Sequence, residues 1–167
     1  MCYRPNIRFL ADQNTYYIEI HIINDFDAIF DGNGPAGATT KAIEYIHGAS
    51  VLLSSISNFK MELVITNVEN WDSFYLDPSQ DLNDYLEKVK TYWQTNPNGY
   101  SIFSPISDAL IFLTGKQTAG TVAGVSYVAT LCSSWGIAVV RPVAGTFQSS
   151  FMLCDSSDWI SIDISQL

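Results

Sequence analysis

The stretch TYYIEIHII, Thr15–Ile23, carries apolar side chains on both faces of a predicted strand. Successive side chains of a β-strand point to opposite faces, and tyrosines and isoleucines fall on each face here. A strand that is apolar on both sides is typical of a sheet covered on both faces. DALIFLTG, Asp108–Gly115, is nearly continuously apolar and predicts another strand of this kind, the third in chain order. Both strands predict a covered sheet, and the segments between them must supply the cover.

Helical patterns separate these strands. Thr39 or Thr40 follows a turn-rich segment and is predicted to cap a helix through its hydroxyl. That helix carries apolar residues at helical spacing and should end near residues 57–58. KMELVITNVENW, Lys60–Trp71, is rich in β-branched residues and predicts the second strand in chain order.

A second helix and two further strands complete the element order. Asp81 is predicted to cap a helix that runs to about Thr95. The segments Thr121–Val128 and Ile137–Val140 predict the last two strands. Alternating strands and helices predict a mostly parallel sheet, and the short turn before Thr121 predicts one antiparallel edge strand. The expected fold is α/β, a twisted five-stranded mixed sheet with packing helices.

The charge of the chain excludes two classes of partner. The net charge is −9, and only eight residues are lysine or arginine. Nucleic-acid binding needs clustered basic residues, and anionic membrane surfaces attract them, so we expect neither partner. No segment is apolar over the length of a transmembrane helix. The first residues lack the apolar stretch of a signal peptide, so either the protein is not exported or the chain starts downstream of its export signal.

The three cysteines, Cys2, Cys132 and Cys154, are widely spaced. No CxxC occurs, which argues against a cysteine zinc site. Either Cys132 and Cys154 form one disulfide, or all three are thiols.

Three motifs resemble the reprolysins, or adamalysins, a branch of the metzincin zinc metallopeptidases. YIEIHIIND (Tyr17–Asp25) is similar to that family's first strand, Tyr-x-Glu-Leu-x-Ile-Val-x-Asp. SDALIFLTG (Ser107–Gly115) is similar to its His-Asp-x-Ala-x-Leu-Leu-Thr-Gly strand. GTVAGVSYVATLCSSWGIAVV (Gly120–Val140) is similar to its Gly-x-x-Gly-x-Ala-Tyr-x-x-x-Met-Cys segment and the strand after it. The resemblance is strongest over residues 15–142. It implies a single metzincin-like domain over residues 1–167, incomplete and represented by its upper subdomain.

The resemblance implies a peptide-binding edge. In reprolysins the fourth strand is the edge to which a substrate peptide adds as an extra antiparallel strand, and small residues there let a second backbone approach. From the residues alone, an ordinary edge strand with a β-bulge at Gly124 is the alternative. The implied substrate-binding edge comprises Thr121, Val122, Ala123, Gly124, Val125, Ser126 and Tyr127.

The catalytic zinc motif of that family is absent from these residues. Reprolysins carry His-Glu-x-x-His-x-x-Gly-x-x-His, in which three imidazoles bind zinc and the glutamate activates water. This sequence has two histidines, His21 and His47, and no HExxH. Family spacing places the motif near Cys154, in CDSSD. Cysteine and aspartate can bind zinc, but two ligands without a third do not make a specific site. We therefore expect no catalytic residues and no cofactor in this chain, and zinc only in intact relatives.

Two other groups of residues suggest sites. Glu19 and Asp108 correspond to carboxylates that hold a structural calcium in many reprolysins, although the remaining ligands of that site come from near the family's C-terminus. The alternatives are solvated acids or a carboxylate held by backbone donors. His21 shares a strand face with Glu19, which allows a proton-shuttling pair or an ordinary hydrogen-bonded histidine. His47 lies between Ile43 and Val51 at helical spacing, which predicts packing at the rim of the core.

The function expected from these observations is a truncated or degenerate reprolysin-like metallopeptidase domain that is inactive as given. A natural truncation, a frame-altered gene end or a deliberately shortened chain would each give this sequence. Two alternatives remain: a non-catalytic module that binds an extended peptide on its edge strand, which an exposed Tyr127 would favour, and a fragment without function. The resemblance implies an extracellular location. The sequence carries no signal for an oligomeric state.

Overall fold

A computed structural model describes residues 15–31, 33–56, 60–73, 76, 81–95, 107–115, 124–127, 136–141, 151–154 and 159–162. Five strands form one sheet: β1 (Thr15–Asn24), β2 (Lys60–Asn70), β3 (Ala109–Leu113), β4 (Gly124–Ser126) and β5 (Ile137–Val140). Their spatial order is β2-β1-β3-β5-β4. β1 is parallel to β2 and β3, β3 is parallel to β5, and β4 is antiparallel to β5. The predicted mixed α/β sheet with an antiparallel edge strand is confirmed.

Two helices cover opposite faces of this sheet, which is why its strands are apolar on both sides. Helix α2 (Pro35–Ile56) covers one face, and its core cluster comprises Ile18, Ile20, Ile22, Ala42, Ile46, Ile111, Leu113 and Val140. Helix α3 (Leu82–Thr95) covers the other, and its cluster comprises Ile23, Trp71, Leu82, Tyr85, Leu86, Val89, Leu110, Phe112, Ile137 and Val139. Neighbouring residues of β3 divide strictly between the two clusters.

Helix α2 begins earlier than the sequence predicted. Thr39 and Thr40 lie inside the helix, and the hydroxyl of Thr40 donates to the carbonyl oxygen of Ala36, 3.0 Å away. Pro35 is the first helical residue, a position where its fixed φ suits the helix and its missing N–H costs nothing. Gly34 precedes it with a φ of 98°, a left-handed conformation that favours glycine. The proline was therefore a stronger start signal than the threonines. The predicted cap of α3 is confirmed, because the Asp81 carboxylate accepts from the Asn83 amide at 2.8 Å.

Two elements were not predicted. A short helix, α1 (Phe26–Asp31), follows β1 directly. Near the end of the chain, β6 (Phe151–Cys154) and β7 (Trp159–Ile162) form an antiparallel hairpin that is separate from the main sheet. Its Cys154 pairs with Trp159. The described residues around Cys154 are therefore strand rather than helix.

Candidate functional site: the antiparallel edge of the sheet

Strand β4 forms one edge of the five-stranded sheet. Within the described part of the chain it pairs with β5 and with no other strand. Its pairing is regular, with Gly124 opposite Val140 and Ser126 opposite Ala138. A bulge at Gly124 is therefore not seen in these pairs. A Cβ built on Gly124 would lie 3.4 Å from the nearest atom, the carbonyl oxygen of Val139, which is ordinary contact. The glycine is thus not required by packing within the sheet.

The side chains of β4 divide between the two faces of the sheet. Val125 and Tyr127 pack against the core cluster under α3. Because neighbouring residues alternate, Gly124 and Ser126 lie on the face that α2 covers elsewhere. All four residues are half-buried. Thr121, Val122 and Ala123, which complete the predicted edge, lie outside the described residues.

Tyr127 is held by two residues of α3. Its hydroxyl donates to Oε1 of Glu87 at 2.5 Å, and Nζ of Lys90 donates to Oε2 of Glu87 at 2.5 Å. The same ammonium group lies 5.1 Å from the centre of the Tyr127 ring, within the range of a cation–π contact. We call these three residues the α3–β4 clasp. Tyr127 is therefore half-buried and bonded to α3, and is not the exposed tyrosine that would have favoured a free-standing binding module.

The charges of the α3–β4 clasp support one another. Hydrogen bonds from Lys90, and then from Tyr127, hold the pKa of the Glu87 carboxyl below its ordinary value. The bond to Glu87 raises the pKa of Lys90. Partial burial, followed by the bond to Glu87, raises the pKa of the Tyr127 hydroxyl. All three shifts favour an ionised Glu87–Lys90 pair with a protonated tyrosine near neutral pH. Sequence reasoning missed Glu87 and Lys90, whose only signal was their spacing of three on a helix.

The structure brings Glu19 and Asp108 together at the start of β3. The Asp108 amide donates to the Glu19 carbonyl oxygen at 2.7 Å, and Oδ2 of Asp108 accepts from the Glu19 amide at 3.0 Å. The carboxylate of Asp108 thus binds the backbone of β1. This geometry agrees with the interpretation of a carboxylate held by a backbone donor.

The two histidines lie in different surroundings. His21 is buried on β1, and its Nε2 lies 3.0 Å from Oε1 of Glu69 on the neighbouring strand β2, which agrees with an ordinary strand histidine. His47 is exposed on α2, between Ile43 and Val51, whose exposed fractions are 48% and 56%. The prediction that His47 packs at the rim of the core is therefore wrong. The buried stripe of α2 runs through Ala42, Ile46, Ala49 and Leu53 instead.

A buried carboxyl group, Asp25, lies at the carboxyl end of β1. It is 3% exposed, and its Oδ1 accepts from the amides of Ala28 at 2.7 Å and Gly115 at 3.2 Å. Its Oδ2 accepts from the hydroxyl of Tyr85 at 3.3 Å. Burial raises the pKa of Asp25, although hydrogen bonds from Thr114 and the two amides lower it in part. Burial, followed by the charge of Asp25, raises the pKa of Tyr85.

Asp25 has a structural role that sequence analysis did not predict, although it is the last residue of the motif YIEIHIIND. Its carboxylate caps α1 through the Ala28 amide. It also joins the ends of β1 and β3, since Gly115 follows β3. The signal in the sequence was an acidic residue directly after a largely apolar strand, a position that commonly caps the next helix.

The described residues contain no ready-made cluster of metal ligands. Among them, no three histidine, cysteine, aspartate or glutamate side chains converge as metal ligands. Glu19 and Asp108 alone cannot supply the six to eight oxygens that calcium takes. The segment 155–158 and the residues Cys2 and Cys132 lie outside the described residues, so the CDSSD ligands and the disulfide stay predictions. No helix in the described ranges is long and apolar enough to cross a bilayer.

Known proteins share the fold and the sequence pattern of this chain. A solved structure described as that of a chaperone–substrate complex matches 79% of the chain with a TM-score of 0.56 and 14% sequence identity. The chain spans only 21% of that structure's chain, so the match concerns the fold alone. No curated protein matches the chain. The profile of the reprolysin (M12B) family of zinc metalloproteases matches residues 16–152. Because this span is most of the 167 residues, the chain belongs to the reprolysin family.

Proposed function

We propose that these residues form the substrate-binding half of a reprolysin-type metalloendopeptidase domain. An extended segment of a protein substrate pairs antiparallel with the outer edge of β4. The docking edge that we propose comprises Thr121–Tyr127, of which the structure describes Gly124–Tyr127. The observation that carries this proposal is the position of β4, an antiparallel edge strand in a chain of this family. The intact enzyme is expected to act on extracellular proteins.

The physical basis is strand addition. An edge strand presents unpaired backbone N–H and C=O groups on its outer side, and an extended peptide can satisfy them. Backbone pairing of this kind supplies affinity, while pockets for alternate side chains supply specificity. β4 contributes small residues at Gly124 and Ser126 on one face, which leaves room for larger side chains of a bound peptide.

The sequence given does not contain the zinc motif with which reprolysins hydrolyse peptide bonds. The sequence contains no HExxH, and both of its histidines, His21 and His47, precede Phe59. Neither lies on β4 or on its neighbour β5. We therefore assign no step of bond cleavage to this chain and expect the 167 residues alone to bind a peptide without cutting it.

Amide chemical shifts test the binding site. A pool of random nonapeptides with blocked ends is titrated into the 167-residue chain, and the backbone amides are followed by NMR. We expect shifts in Gly124–Tyr127 that saturate with peptide. The opposite edge, β2, is an internal control, because it is the other edge of the same sheet. Shifts confined to β2, or no shifts at all, would contradict the proposal.

Cleavage is tested separately. The chain is incubated with the same pool and micromolar zinc, and products are detected by mass spectrometry. We expect none. Reproducible products that disappear with a chelator would show that the 167 residues carry a complete catalytic site, and would overturn the assignment of a binding half.

A further inference from the structure

We propose that the α3–β4 clasp, Glu87, Lys90 and Tyr127, is a positioning group that holds β4 in the geometry needed for peptide docking. This inference rests on the proposed function, since it concerns how the same edge binds. It adds two residues of helix α3, Glu87 and Lys90, to the residues of β4 that form the proposed docking edge.

The clasp joins elements that are distant in sequence and adjacent in space. Tyr127 directly follows β4, and Glu87 and Lys90 lie in the middle of α3. The tyrosine ring packs on the core cluster under α3, while its hydroxyl reaches the carboxylate at the helix surface. The carboxylate is shared, because one oxygen accepts from Tyr127 and the other from Lys90. The residue that follows β4 is thereby joined to α3 by a hydrogen bond, a cation–π contact and packing of its ring.

β4 needs such a contact more than the other strands of the sheet do. Its paired length is three residues, and within the described part of the chain only β5 pairs with it. β1 and β3, in contrast, are each paired on both sides. A short edge strand with one neighbour can fray or twist, and every residue that must be ordered on binding weakens affinity. A tyrosine anchored at the end of the strand reduces that cost.

The exposure of the clasp agrees with a role at the rim of a binding edge. The Glu87 side chain is 57% exposed, whereas that of Lys90 is 15% exposed. Val125 and Tyr127 point to the α3 face, so alternate side chains of an added strand would point to the same face. A bound peptide would therefore run beside the clasp.

The test combines affinity, stability and a spectroscopic signature in the full 167-residue chain. Tyr127→Phe removes the hydroxyl and keeps the ring, and Glu87→Ala removes the acceptor. Glu87→Gln keeps a carbonyl acceptor and serves as the conservative rescue. Tyr45→Phe and Glu44→Ala, on α2 against the opposite face, are matched controls. The probe is the pool of blocked nonapeptides, and the readouts are the apparent affinity, the melting temperature and the amide shifts of Gly124–Ser126.

We expect Tyr127→Phe and Glu87→Ala to weaken peptide affinity about threefold to tenfold, the factor of one hydrogen bond. Both should shift the Gly124–Ser126 amides in the free protein and keep the melting temperature within a few degrees. Glu87→Gln, which keeps one of the two acceptors and loses the charge, should weaken affinity less than Glu87→Ala does. Both controls should bind as the wild type does. Unchanged affinity and unchanged β4 amides in Tyr127→Phe would overturn the positioning role while leaving the proposed function intact. A wild-type chain that binds no peptide would contradict both.

Discussion

At the scale of single residues, the most consequential group is the buried carboxyl of Asp25. Transfer of an ionised carboxylate out of water is unfavourable, and this group compensates with two backbone amides and the Tyr85 hydroxyl. Burial still dominates, so the pKa of Asp25 is raised. The folded protein therefore favours the protonated form more than the unfolded chain does. The contribution of Asp25 to stability is fully present below its ordinary pKa and decreases as the pH rises through the folded-state pKa.

Asp25→Asn tests this sign. Asparagine keeps the shape and one carbonyl acceptor but does not titrate. The free energies of unfolding of wild type and variant are measured in urea at several pH values between 4 and 7. We expect the wild type to gain stability relative to Asp25→Asn as the pH falls, because all other groups titrate equally in both. A difference that stays constant, or grows with rising pH, would contradict a raised pKa of Asp25.

Asp108 allows a second prediction at this scale. Asp108→Ala leaves the Glu19 amide without its side-chain acceptor, so we expect a loss of about 1–2 kcal/mol in the free energy of unfolding. Because Oδ2 of Asp108 accepts from the Glu19 amide, we expect the melting temperature of the wild type to be equal in millimolar calcium and in a chelator. A rise with calcium that Asp108→Ala abolishes would instead establish Asp108 as a calcium ligand.

At the scale of elements, Gly115 permits α1 to pack against the end of β3. A Cβ on Gly115 would lie 2.4 Å from the carbonyl carbon of Asp27 and 2.6 Å from the Ala28 nitrogen. These are backbone atoms, so the whole helix would have to move. The same glycine donates its amide to Asp25, which ties the contact to the cap of α1.

A pair of glycine substitutions tests this packing. Gly115→Ala should lower the free energy of unfolding by about 1–3 kcal/mol, since overpacking forces the backbone apart. Gly48→Ala is the matched control, because a Cβ on that residue of α2 meets nothing within 4 Å. It should raise stability by up to about 1 kcal/mol through helix propensity. The free energies of unfolding of both variants are obtained from their urea denaturation curves and compared with that of the wild type. Gly115→Ala with wild-type stability would show that α1 is not closely packed on this glycine.

The same elements show what the sequence could predict. The β-branched and apolar composition of β1, β2 and β3 and the helical spacing of α3 predicted these elements. The alternation of strands and helices predicted the parallel sheet, and the short turn before Thr121 predicted its antiparallel edge. α1 was missed because six residues are too few for a helical period, although its cap, Asp25, is a local signal that the sequence carries. The α3–β4 clasp could not be predicted, because it joins residues 40 positions apart through side chains. Its partners depend on how the helix and the edge strand pack, which no local pattern specifies.

At the scale of the whole molecule, the most deeply buried strands of the sheet and the proposed docking edge are different strands. β1 and β3 are paired on both sides and contribute side chains to both core clusters. Ile22, Ile23, Leu110 and Phe112 are fully buried there. β4 is three residues long, half-buried and at the edge. Binding surfaces are commonly drawn from the less stable parts of a fold, since they must remain accessible to a partner.

Native-state hydrogen exchange measures this gradient directly. We expect the amides of β1 and β3 to exchange through global unfolding, with a strong dependence on denaturant. The amides of β4 should exchange through local fraying, at least about tenfold faster and nearly independently of denaturant. The Tyr127→Phe variant should accelerate exchange in β4 alone, because it releases only the end of that strand. If β4 in the wild type is instead as protected as β3, its outer edge is already satisfied by other residues of the chain. A peptide would then have no free backbone groups to pair with, and the docking edge would have to lie elsewhere on the sheet.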